Sequence, residues 1–91
     1  MRSVLWELAE QAERQPGRLA ATLLPYARAR GWDIVTLANA LGCPLDALPH
    51  ILVARAPEGA HWEEDAAALA RQWGAEPERL VSLLEMARHH V

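Results

Sequence analysis

A chain of 91 residues is expected to make one domain with a thin core. One Cys excludes an internal disulfide framework, and no apolar run approaches the roughly 18 residues a membrane span needs. The net charge of −3 argues against a simple nucleic-acid coat.

Helix is the dominant expectation. Ala occurs 18 times and Leu 14 times, Phe is absent, and β-branched residues are sparse. The bulk of the core must then come from Leu and from Trp6, Trp32, Trp62 and Trp73. Ser3 suits the N-cap of a first helix running to about Glu13, with Leu5, Leu8, Ala9 and Ala12 on its inner side. Pro16-Gly17 ends it. This segment, 1–15, reads as an accessory helix against a compact domain over 18–91.

A second helix is predicted over 18–30, with Leu19, Leu23 and Ala27 inward. Pro25 would kink it or split it, and Gly31 stops it. Asp33 is a good N-cap for a third helix to Leu41, and Gly42 a turn residue of positive φ. A fourth helix is expected over 44–53. Pro44 fits its first turn, whereas Pro49 falls awkwardly in its middle. Pro57-Glu58-Gly59 is a loop. The fifth helix is predicted over 62–73 and the sixth over 77–88, divided by Gly74. The last residues, His89, His90 and Val91, are expected to fray.

Residues 37–52 (LANALGCPLDALPHIL) and 69–84 (LARQWGAEPERLVSLL) form a faint repeat at an offset of 32. Leu, Ala, Gly, Leu and Leu recur at matching places. Its physical content is two helix–Gly–helix corners, each with a small Ala where helices approach.

Charge is unevenly spread. Residues 14–30 hold Arg14, Arg18, Arg28 and Arg30 and no acid, giving +4, while 58–91 sum to −4. All nine strong cations are Arg, the better bidentate partner for carboxylate or phosphate.

Within 34–53, Leu37 and Leu41 are apolar, Ala38 is small, Gly42 permits the turn, Cys43 is a compact plug, and Leu48 and Ile51 face back. This pattern resembles the helix-turn-helix of the Xre/lambda-repressor-like family. The resemblance extends over 18–88, from LLPYARARGW through IVTLANALGC and PLDALPHIL to HWEEDAAALARQWG and AEPERLVSLLEMA. It implies an all-α fold, a compact five-helix bundle with the additional N-terminal helix. It also implies a transcription-associated regulator binding double-stranded DNA, alone weakly or with a partner's help. Carried over by position, the groove-facing places are Pro44, Leu45, Asp46, Pro49, His50 and Val53, and phosphates would fall to Arg28, Arg30 and Arg55.

The residues themselves depart from that pattern. The family's Ser or Thr is replaced by Pro44, and only Asp46 and His50 could hydrogen-bond a base edge. Leu45, Pro49 and Val53 make an apolar patch that suits a protein contact more directly. The second reading is therefore an interaction adaptor or inhibitor that keeps the fold without reading DNA. The N-terminal helix is a candidate homodimerisation arm.

Catalysis finds no foothold. Cys43 should point into the core, where a thiol is ordinarily inert, and His50 lies across a turn from it. His61 with Glu64 and Asp65, or His89 with His90, match no metal-binding spacing. The sequence thus assigns no enzyme activity, catalytic residue, metal or cofactor. Without a signal-peptide pattern or a membrane span, the expected compartment is the cytoplasm.

Overall fold

The computed structural model describes residues 4–89, apart from the side chain of Leu5. The expected Ser3 cap, the inward placement of Leu5, and the fraying of His90 and Val91 lie outside the described residues. Six α-helices follow in chain order: α1 (Val4–Ala12), α2 (Leu19–Ala29), α3 (Ile34–Leu41), α4 (Leu48–Val53), α5 (Trp62–Gln72) and α6 (Pro77–Arg88). A 3-10 turn, Leu45–Ala47, leads into α4. No strand occurs among the described residues; one isolated antiparallel bridge joins Arg18 to Arg55. The fold is all-α, as expected from the composition.

Local chemistry explains most boundaries. The Asp33 carboxylate accepts the Thr36 N–H at 2.8 Å and fixes the start of α3. This hydrogen bond is also the main reason that Asp33 ionises below the ordinary carboxylate range. At the other end of α3, Gly42 is left-handed with φ of 70°. That lets Cys43 N–H reach back to the Ala38 carbonyl at 3.1 Å, the closing bond of a Schellman motif. The axis of 45–53 then leaves α3 at 96°, the crossing expected of a helix-turn-helix corner.

At Pro25 the structure excludes the split, and at Pro49 it replaces the single helix expected over 44–53. α2 runs unbroken from Leu19 to Ala29, so Pro25 does not split it. Pro25 is exposed and removes only the bond its own N–H would have given the Ala21 carbonyl. The expected helix over 44–53 is two pieces. The 3-10 turn carries the chain from Pro44 to Ala47, and α4 begins only at Leu48. Pro49 therefore stands in the first turn of α4, where a missing N–H costs nothing.

The core is built from fully buried Leu19, Leu23, Leu37, Leu41, Leu48, Ile51, Leu52, Leu80 and Leu84. Small Ala9, Ala20, Ala38, Ala66 and Ala70 let the helices approach closely. α4 packs against both α1 and α2, while α6 packs on α2, α3 and α5. α1 meets α4 through Ala9 and Ala12, with Trp6 half-buried beside them. Leu8 turns outward and is 48% exposed, contrary to its expected inward placement. Two alanines at the contact bring the helices too close for a Leu in the same stripe.

The remaining tryptophans also serve the fold. Trp62 and Trp73 are half-buried against the core. Trp32 meets Tyr26 edge-to-face, with ring centroids 5.8 Å apart. Cys43 is buried, and burial pushes its thiol pKa up, as expected of an inert plug.

Candidate interaction surface

The residues singled out from the sequence separate into three groups. Pro44, Leu45 and Asp46 are exposed on the turn before α4, with Leu45 42% exposed. Pro49, His50 and Val53 are not presented in the same way. Pro49 is fully buried and so leaves the set of surface contacts. His50 is half-buried and stacked on Trp73, with centroids 4.1 Å apart and planes 9° from parallel. Val53 packs against the core, and its carbonyl accepts a bond from Arg18 at 3.2 Å.

The three arginines differ as well. The Glu13 carboxylate takes both terminal nitrogens of Arg28 in a fork. That hydrogen bonding, more than the charge attraction, holds Arg28 even more firmly protonated. Arg30 donates to the Tyr26 hydroxyl at 2.8 Å and lies over the Tyr26 and Trp32 rings at 5.1 and 5.7 Å. Arg55 is exposed, and its guanidinium has no partner among the described residues. Two of the three are thus engaged within the fold.

A groove, which sequence reasoning missed, lies where α1, α2, the start of α3 and the turn before α4 meet. It encloses about 910 Å³. Its floor and walls are apolar: Trp6 and Ala9 from α1, Leu24 and Ala27 from α2, Trp32, Ile34 and Leu37 around the start of α3, and Pro49 and Leu52 beneath. Its polar margin is mostly acidic. Glu10, Asp33 and Asp46 line it, and the only cation among the described residues that line it, Arg28, is the one forked onto Glu13.

The groove has a simple origin. Ile34 continues the apolar stripe of Leu37, Ala38 and Leu41, but it sits one turn beyond where the other helices cover that stripe, and it is 43% exposed. The sequence signal was an apolar pair, Ile34-Val35, directly after the Asp33 cap. What it could not give was the position of α1, which supplies the opposite wall.

At the far side of the molecule, His61 precedes α5, and its Nδ1 lies 3.7 Å from Glu64 on the open surface. Among the described residues, no three His, Cys, Asp or Glu side chains come together as a metal-binding group. No helix among them is long and apolar enough by itself to cross a membrane. No protein-family model matches the chain, and neither a curated protein nor a solved structure matches it.

Proposed function

We propose that this chain is a non-catalytic protein-interaction module whose binding surface is the groove between α1, α2 and the start of α3. The observation that carries the reading is the position of α4. A helix that reads DNA must project from the surface into the major groove. Here the corresponding helix is mostly buried, with Leu48, Pro49, Ile51 and Leu52 covered and α1 packed against it. Of the expected groove-facing residues, Pro44, Leu45 and Asp46 are exposed while His50 and Val53 are half-buried, and Asp46 repels phosphate. The groove, in contrast, combines partly exposed apolar walls (Trp6, Leu24, Trp32 and Ile34) with a polar margin, the composition of a helix-binding cleft.

Titration of a fluorescent DNA duplex at low ionic strength tests the choice. The expected outcome is no affinity that falls steeply with added salt. A steep salt dependence, weakened further by Arg55→Ala, would reinstate the DNA reading.

A further inference from the structure

The chemistry of the groove narrows its occupant, given that the groove is the binding surface. We infer that the groove takes a basic amphipathic helix, one that presents large apolar side chains a turn apart with Lys or Arg beside them. The argument is charge complementarity across an apolar floor. Asp33 and Asp46 stand on the margin from the α3 and α4 sides. The Asp33 carboxylate is secured in its charged form by the Thr36 N–H. Arg28 offers no offsetting free cation because Glu13 occupies both of its terminal nitrogens. A cationic ligand gains on approach to Asp33 and Asp46, and an acidic one is repelled.

The shape selects a helix. The walls are helices throughout, and the described residues include no sheet edge that could add a strand. Apolar anchors at i and i+3 or i+4 can enter between Trp6 and Ile34, while a polar outer face stays in water. The exposed face of α1 from a second copy of the chain does not meet this requirement. The exposed apolar residues of its α1, Val4 and Leu8, flank an exposed Glu7, so it would bring like charge to the margin.

Panning a displayed library of helical peptides, with apolar anchors fixed and polar positions randomised, tests the inference. The bait is the full chain, with the Ile34→Arg chain as counter-selection. Ile34 is partly exposed in the first turn of α3, so its variant should keep the wild-type helical circular dichroism. Selected peptides should carry Lys or Arg flanking the anchors. Their affinity should fall about 30-fold with Ile34→Arg and about tenfold with Asp46→Lys. Asp33→Asn, which keeps the cap acceptor, should weaken binding in the same direction. Groove-dependent peptides with neutral or acidic flanks would overturn the basic occupant and leave the groove intact as a binding surface. A selection in which no peptide distinguishes the chain from Ile34→Arg would overturn both.

Discussion

The two helix–Gly–helix corners share one device and use it differently. In the first, 37–52, Gly42 has φ of 70° and Cys43 N–H bonds the Ala38 carbonyl at 3.1 Å; in the second, 69–84, Gly74 has φ of 77° and Ala75 N–H bonds the Ala70 carbonyl at 2.8 Å. Leu48 and Leu80 are fully buried at matching places, as are Leu52 and Leu84. The corners also face each other reciprocally. A Cβ on Gly42 would fall 2.8 Å from Glu76 Cγ, and one on Gly74 would fall 3.8 Å from Pro44 Cδ. The offset of 32 exchanges these two contacts.

The exchange fails at one bond. Glu76 N–H donates to the Leu41 carbonyl at 2.9 Å, but Pro44, its counterpart, has no N–H to give. Beyond that point the arms diverge. α6 is a regular 12-residue helix with Glu78, Arg79, Ser82 and Glu85 exposed, whereas the first arm is a 3-10 turn and a six-residue helix carrying Pro49. One motif has therefore produced a long helix with one exposed face and a short, mostly buried peg. The peg's burial under α1 is what creates the groove, so the functional surface lies beside the first corner and not on its second helix.

Matched substitutions sharpen this comparison. The largest losses should come from Leu48→Ala and Leu80→Ala, each about 2–5 kcal/mol because each empties a fully buried site. Denaturant unfolding should give similar values for the two if the corners contribute equally to the core. A much smaller loss for Leu48→Ala would mean that the first arm is not a core element.

Next come Gly42→Ala and Gly74→Ala. Both place a Cβ in the left-handed region, at a cost of roughly 1–2 kcal/mol. Gly42→Ala should cost more, since the new methyl displaces the Glu76 side chain and disturbs its ion pair with Arg79. Equal losses would show that Glu76 yields freely.

His50→Ala removes the stacked contact between the first arm and Trp73, and an unfolding loss of about 1 kcal/mol is expected. The smallest effect concerns pH. The carboxyl of Asp33 has a lower pKa in the folded chain than in the unfolded one, so its contribution is complete above the unfolded value and is lost as pH falls through the folded one. Asp33→Asn should flatten the acid limb of a stability–pH curve while retaining most of the cap. An unchanged acid limb would show that other carboxylates set it.

Much of the fold was legible because individual residues impose it. Pro77 and the last periodic residue fix α6 at Pro77–Arg88, and Asp33 with Gly42 brackets α3. Reading stopped where packing decides between local options. Pro49 looked disruptive because a single helix was expected from Pro44, and only the tertiary corner makes a 3-10 turn preferable there. Leu8 fitted the apolar spacing, but alanines make the contact instead. Of the surface, exposure of the turn at Leu45 and Asp46 was legible. The groove was not, because Trp6, Leu24 and Ile34 come from three helices whose relative placement no local pattern encodes.

Native-state hydrogen exchange at Ile51 and Leu52, compared with Leu83 and Leu84, addresses the burial of the first arm most directly. If α4 is a core peg held by α1, both sets of amides should exchange only through global unfolding, with the same denaturant dependence. Rapid exchange confined to Ile51 and Leu52, through a local opening that leaves α6 protected, would contradict it.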